Sequence, residues 1–525
     1  MKRMSPHIDE LVGLDLPVGV ANAPLRQSMS LSEGGTGAPG GYNAGRRDRR
    51  ALRNWRPKAG SANADTLLDL VDLRARSREA ERNIPIAAGA ISTTTTNVIG
   101  DGLQLQSSID AAALGLAPEV ADRLEREQER EWALFCRSVD FTGVQCFDEQ
   151  QELAFRSALQ SGDVIAIRRF RRDPGDAYGT KLQLIEADRL CNPDYGADSE
   201  TLSGGVEVDA DGRPVRYHIA RKHPGGLRVG GNSWESIPAR DDQGRRLVIH
   251  VFDRTRPELT RGVPYLGPVI EHLKQLGNYA DAEVTAAVIG AMITMVVTTP
   301  TEEGDDPIVG TRGDPNLADN EVKLGSGATV SLNPGEKAEL LNPSRPNVNF
   351  DPFVQAFLRQ VGVALELPFE LLIKHFTASY SASKAALEMA RMFFRKRRSR
   401  FAWRVCQEVY GWMMDEAVAS GRLNRPGYFA DPVIREAWLG ATWIGPSMPS
   451  LNPKQEAEAD EIDVRLGVKT REQICMERTG GEVEKKTEQL AREEKARKAA
   501  GLQQAAPPAA QPGEPARENS DEEAA

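Results

Sequence analysis

Ser381-Ala382-Ser383-Lys384 spells S-x-x-K, the nucleophile motif of serine acylases, in which a serine oxygen attacks a carbonyl beside a lysine. That chemistry needs S-D-N and K-T-G partners, and neither tripeptide occurs. No H-E-x-x-H, G-x-S-x-G or Walker A loop is present either. No catalytic residue is therefore assigned. His218 and His223 lie near a predicted sheet, but their spacing fits no helical H-x-x-x-H pair and no nearby cysteine completes a site. They read as solvated or hydrogen-bonded histidines. Cys136, Cys146, Cys191, Cys406 and Cys475 are scattered without a C-x-x-C pair, which points to a reduced folding environment and no zinc ribbon. No metal and no cofactor is expected.

Charge is the other source of chemistry. Arg391, Arg395, Lys396, Arg397, Arg398, Arg400 and Arg404 cluster without an acid among them, interleaved with Phe393, Phe394, Phe401 and Trp403. Basic residues with aromatics can mean nucleic acid. The other reading is ion pairing and packing between neighbouring subunits. It is favoured because a chain of net charge −10 has acid to spare, and no OB or RRM pattern is present. Lys374 and His375 sit in the stretch Leu371 to Leu387, which lacks Asp and Glu. Glu302, Glu303, Asp305, Asp306 and Asp314 fall in a polar region with several Gly and Pro, as a solvent-facing tip would. Arg46, Arg47, Arg49, Arg50 and Arg53 surround Trp55 in an arm whose Gly34 to Gly45 stretch cannot form a core.

Two long helical patterns must position these groups. The first is predicted from Pro264 to about Val297, with Leu266, Ile270, Leu273, Leu276, Val284, Val288, Met292 and Val296 near a 3.6 period. At ~1.5 Å per residue it would be roughly 50 Å long, too long for a small domain. The second opens at Asp351-Pro352, carries Phe353, Phe357, Val361 and Leu365, and ends at Pro368. Two rods with a loop region between them predict a stalk with a tip, whose packing neighbouring subunits complete. A further helix is predicted from Ser381 to Ala419.

Before the rods, helices are predicted over Leu67 to Arg78, Ile86 to Val98, Pro118 to Val139 and Gln150 to Leu159, with a break at Arg82-Asn83-Ile84-Pro85. A β-rich section follows. Val164 to Phe170 and Leu182 to Ile185 are read as alternating strands, Asp211-Gly212 as a hairpin turn, and Leu247 to Phe252 as one more strand. After the rods, Lys454 to Leu466 is helical, Thr470 to Gln473 is a capping box, and the Ala-, Pro- and Glu-rich end is expected to be disordered.

A chain of 525 residues can hold several domains, and its charge of −10 argues against a generic nucleic-acid coat. No apolar run follows Lys2-Arg3, so no secretory signal is expected. Val284 to Pro300 is uncharged but short for a membrane span and contains Thr285, Gly290, Thr294, Thr298 and Thr299.

The order of several short boxes is more telling than any one of them. Arg261-Gly262-Val263-Pro264-Tyr265-Leu266 opens the first rod. Gly362 to Leu372, containing Leu367-Pro368-Phe369-Glu370, precedes Tyr380-Ser381-Ala382-Ser383-Lys384-Ala385-Ala386. Arg82-Asn83-Ile84-Pro85 and Asn97 to Leu103 come earlier. This succession, from about Leu67 to Glu482, resembles the lambda-type portal proteins of tailed bacteriophages. The resemblance implies an α+β, mainly helical portal fold with a mixed α/β wing, a two-helix stem, a projecting clip and a helical crown. Its boundaries would be a flexible arm at 1–64, wing at 65–260, first stem helix at 261–297, clip at 298–347 and second stem helix at 348–372. A tunnel loop at 373–383, wing helices at 384–450, crown at 451–500 and a disordered tail at 501–525 would complete it.

The resemblance also implies a non-enzymatic ring, usually of twelve subunits, assembled in the bacterial cytoplasm and placed at one capsid vertex of the virion. Double-stranded DNA would pass through its channel during packaging and ejection. Lys374, His375, Thr377, Ser379 and Tyr380 would line the tunnel loop, and Glu302, Glu303, Asp305, Asp306 and Asp314 would dock terminase. The partners implied are other copies of the chain, the terminase large subunit, the major capsid and scaffold proteins, and head-completion or tail-joining proteins, with no stable membrane insertion. A membrane channel of holin type and an enzyme with an unrecognised site are the alternatives.

Overall fold

The structure, a computed structural model, describes residues 44, 50–226, 233–291, 294–298, 337–341, 349–376, 379–447, 452–479, 481 and 483–501. It divides into two units, Met1–Gly60 and Ser61–Ala525. In the first, the Trp55 N–H donates to Leu52 O at 3.1 Å in a turn, and the Trp55 ring is exposed.

The second unit starts with α1 (Ala62–Thr66), capped by Ser61, and α2 (Leu70–Asn83). Ile84 is extended and Pro85 opens α3 (Pro85–Val98), as the Arg82 to Pro85 break predicts. β1 (Gln104–Ser107) and α4 (Ala111–Leu114) lead to α5 (Pro118–Cys136), which buries Ala121, Gln128, Trp132 and Phe135 along one face. α6 (Phe147–Ser161) ends at Gly162, whose φ of 91° suits only glycine.

The strands are β2 (Asp163–Phe170), β3 (Thr180–Glu186), β4 (Leu202–Ser203), β5 (Val206–Val208), β6 (Pro214–Ala220), β7 (Trp234–Pro238) and β8 (Val248–Phe252). They form two antiparallel sheets, ordered β3-β2-β8 and β4-β5-β6-β7. The Asp211-Gly212 turn joins β5 to β6 with Glu207 opposite Arg216. The expected alternation in β2 is not what the structure shows. Val164 and Ala166 face the helical core, while Ile165 and Ile167 face a second core built with Ile185, Val206, Tyr217, Ile219 and Ile237. The sheet is covered on both sides, so its strand reads as a continuous apolar run. Each of these isoleucines gains ~1.5–3 kcal/mol by burial.

The first rod is shorter than the sequence predicts. A single 3₁₀ turn at Gly267–Val269 runs into α7 (Ile270–Ala291), about 33 Å long. Residues 294–298 are not helical. Thr294, Val296, Val297 and Thr298 favour extended backbone, and β9 (Thr294–Thr298) pairs antiparallel with β10 (Lys337–Leu341). α8 (Phe350–Ala364) opens one residue before Asp351, with Asn349 at the cap. The ring pair His272–Phe357 at 5.4 Å is followed by Tyr279–Phe350 at 5.5 Å, so α7 and α8 run antiparallel.

α9 (Phe369–Ile373) and α10 (Tyr380–Phe401) bracket a connector that is shorter than 373–383. The helix claims residues 380–383 because the Ser379 side chain accepts from Ala382 N at 3.5 Å and caps it. The predicted helix to Ala419 is interrupted by a π turn at Ala402–Cys406 before α11 (Gln407–Ala419). α12 (Pro432–Trp438) and β11 (Ala441–Ile444) follow, and β11 pairs with β1. α13 (Pro453–Arg465), α14 (Arg471–Thr479) and α15 (Val483–Ala499) contain no buried residue. The Thr470 capping box is formed: Thr470 N donates to Gln473 Oε1 at 3.0 Å and Gln473 N to Thr470 Oγ1 at 3.1 Å. No helix among the described residues is long and apolar enough to cross a membrane.

Candidate functional site: the anchor, the connector and the arginine face

Asp163 is the first residue of β2 and is fully buried. Its carboxylate accepts from Arg74 Nη2 at 2.8 Å, Arg261 Nε at 2.6 Å, Arg261 Nη2 at 3.2 Å and Gly262 N at 3.3 Å. His250 Nε2 lies 3.1 Å away. Arg261 also donates to the carbonyls of Leu190 at 2.5 Å, Gly204 at 2.7 Å and Ala187 at 2.6 Å. Burial alone would raise the Asp163 pKa, but Arg261, Arg74 and His250 outweigh it and hold the carboxyl well below its usual range. Burial pushes Arg74 down to about 10, with Arg261 adding to the effect, and lowers His250 against the pull of Asp163. The arginine-glycine box that opens the first rod is thus clamped to the sheet by a charged hub. Tyr265 N completes the clamp by donating to Leu159 O at 2.8 Å.

The second box locks the other rod. Leu367 N donates to Gly362 O at 2.9 Å, and a Cβ at Gly362 would sit 2.6 Å from Leu367 O. Glu366 takes φ 55°, and the Tyr265 hydroxyl donates to Leu365 O, tying the two boxes together. In the connector, Lys374 caps α9 with φ 55°, and Lys374 and His375 are exposed. Ser379 serves as the α10 cap. Thr377 lies outside the described residues, and Tyr380 is described only as the first residue of α10. Glu302, Glu303, Asp305, Asp306 and Asp314 lie outside them as well.

The arginine cluster finds partners within this chain, a source the sequence reading did not weigh. Arg397 and Arg400 meet Asp253 at 3.4 and 3.2 Å, and Arg397 stands over the Tyr265 ring at 4.9 Å. Arg404 donates to Phe252 O at 2.5 Å. Arg398 donates to Val98 O at 3.1 Å, Asn97 O at 2.8 Å and Pro446 O at 3.1 Å. Among the described residues Arg391 and Arg395 make only long ion contacts, 3.6 Å to Glu388 and 3.7 Å to Glu477. Lys396 is exposed and has no ion pair among the described residues.

Ser381 and Lys384 are both exposed, with no base or oxyanion donor gathered around them among the described residues. His218 lies 2.8 Å from Ser236 Oγ and 3.1 Å from Glu207 Oε2. His223 comes together with Glu186 and Asp188 at 3.5 and 3.6 Å, a grouping the sequence did not reveal. Arg78 already bridges both carboxylates, so its guanidinium fills the place a cation would take.

Residues 48–398 match the family model described as phage portal protein, lambda family. The chain is 25% identical over 533 residues to the portal protein of Escherichia phage N15, covering 94% of each. It is 26% identical over 424 residues to a probable portal protein of Halomonas phage phiHAP-1, covering 77% of this chain and 78% of that one. A solved structure described as the neck of a native GTA particle computed with C12 symmetry overlaps with a TM-score of 0.44 at 15% identity, covering 78% of this chain and 92% of its own. With the family model spanning both clamped boxes and two thirds of the sequence, the chain belongs to the lambda family of phage portal proteins.

Proposed function

We propose that this portal protein assembles into a ring of twelve copies around one channel, at a single capsid vertex of the virion. DNA is packaged and ejected through that channel, and the chain acts as a non-enzymatic connector without a cofactor. The observation that carries the ring is the α7–α8 pair. Val284 is 64% exposed, Val288 50% and Phe353 49%, and a two-helix rod leaves such faces for neighbouring copies to cover. The segment 298–347 is assigned to the clip that receives the terminase large subunit and later the head-completion or tail-joining proteins. Capsid and scaffold proteins surround the ring, which is assembled in the host cytoplasm. Electron microscopy of the purified chain at high concentration and physiological salt is expected to show rings with an axial hole. A persistent monomer would overturn the reading.

The connector between α9 and α10 is assigned to the tunnel, with Lys374 and His375 offered to passing phosphates. DNA must be touched sparingly there, since tight binding would stall its movement. Exposed cations add little to stability. Lys374→Ala should therefore leave the ring yield on size exclusion unchanged and alter DNA packaged or retained per head. Loss of the ring itself would make Lys374 an interface residue and end the tunnel assignment.

A further inference from the structure

We propose that a cavity between α10 and α14 binds a backbone phosphate of double-stranded DNA; this rests on the portal reading. The cavity measures about 230 Å³. Arg391, Arg395 and Arg398 line it from one face of α10, spaced four and three residues apart, and Glu477 is the one carboxylate among the described residues of its lining. Glu477 is committed elsewhere: Lys469 Nζ lies 2.9 Å from its Oε2, closer than the 3.7 Å from Arg395. Glu388, the partner of Arg391, belongs to α10 itself and is more exposed than the arginine.

Arg398 is held in place by carbonyls, which are neutral, and no carboxylate among the described residues pairs with it. Gly445 makes that placement possible, because a Cβ there would fall 2.5 Å from Arg398 Nε. Burial lowers Arg398 to about 10, and repulsion from Arg395 and Arg391 adds to it. Three guanidinium groups facing one hole repel one another until an anion enters. The two non-bridging oxygens of a backbone phosphodiester share one delocalised charge and project at a tetrahedral angle, so each can accept from more than one neighbouring guanidinium, where a planar carboxylate serves one fork well. Phe394 and Trp443 form an apolar wall beside Arg398, and the burial of Arg398 strengthens its attraction for an anion. In a chain of net charge −10, such a pocket is a local reversal of field rather than part of a general basic surface.

The test measures anisotropy of a short labelled DNA duplex against assembled full-length protein, across a salt series. Arg395→Gln and Arg391→Gln should each weaken binding and flatten the slope of log affinity against log salt by about one unit. Glu477→Gln, which removes a negative charge that would repel an entering phosphate, should tighten binding several-fold. Unchanged affinity in both arginine variants, with rings still seen by electron microscopy, would overturn the cavity and leave the portal reading standing. A rise in melting temperature with inorganic phosphate that duplex does not reproduce would mean a free-phosphate site, and would overturn the DNA assignment. Loss of rings in Arg395→Gln, with DNA affinity unmoved by Glu477→Gln, would mean that a second copy occupies the cavity instead.

Discussion

Asp163→Asn is expected to cost about 3–5 kcal/mol of stability, because it leaves two buried guanidinium groups without their counter-charge. Arg74 and Arg261 are each 3% exposed or less, so water cannot replace the lost carboxylate. The amide also gives up an acceptor for at least one of the bonds from Arg74, Arg261 and Gly262. Urea unfolding at fixed protein concentration reads the loss. Arg74→Met added to the D163N background should recover part of it by removing one stranded cation. A loss under about 1 kcal/mol would mean that the hub is solvated in solution and does not clamp the rod.

The same hub sets the response to acid. The folded pKa of Asp163 lies well below the ~3.9 of an unfolded aspartate. Its stabilisation is therefore present above about pH 4 and is lost as pH falls through the depressed folded value. His250 is lowered from its usual ~6.5, chiefly by burial. The unfolded imidazole takes up a proton below about pH 6.5 that the folded one refuses, so stability declines from there downward until the folded value is passed. His250→Gln should remove the decline that begins near pH 6.5 and leave the steeper limb below pH 4.

Local signals in the sequence proved sufficient where the structure is local. The Pro85 break, the Asp211-Gly212 turn and the Thr470 capping box each involve residues within a few positions of one another. The anchor is the opposite case. Arg74, Asp163 and His250 lie 89 and 87 positions apart, with Arg261 shortly after His250, and the sheet order β3-β2-β8 with α2 behind it brings them together. The arginine-glycine box could be seen, but not that its arginine faces inward. A usable hint was Gly162-Asp163 directly before an apolar run, since an acid at the mouth of a buried strand needs a partner. The β1–β11 pair was hidden for the same reason: its two strands are separated by most of the fold. The end of α7 was misread because Val296 fits both a helical period and a strand, and the pairing with β10 decides between them.

Gly262→Ala should be the other severe change, costing at or above the ~3 kcal/mol upper end of overpacking. A Cβ at Gly262 would lie 2.0 Å from Gly162 O and 2.7 Å from Phe252 Cβ. The first of these is backbone at the junction of α6 and β2, so no flexible side chain can swing aside. Gly162 approaches from its own side in the same way, with an added Cβ only 2.4 Å from Gly262 O and a φ of 91° besides. Seating an alanine requires the two backbones to part, which lengthens the Gly262 N to Asp163 bond and loosens the start of α7. Gly277→Ala is the matched control. It lies on α7 with nothing within 4 Å of its added Cβ, and it should gain up to ~1 kcal/mol from helix propensity. Thermal unfolding and ring yield of the two variants separate the cases. G262A is expected to melt well below wild type and to form few intact rings, with G277A at or above wild type in melting temperature. If G262A melted with wild type, the 261–264 box would not be seated against Gly162, and the anchor would not be what holds the stalk to the sheet.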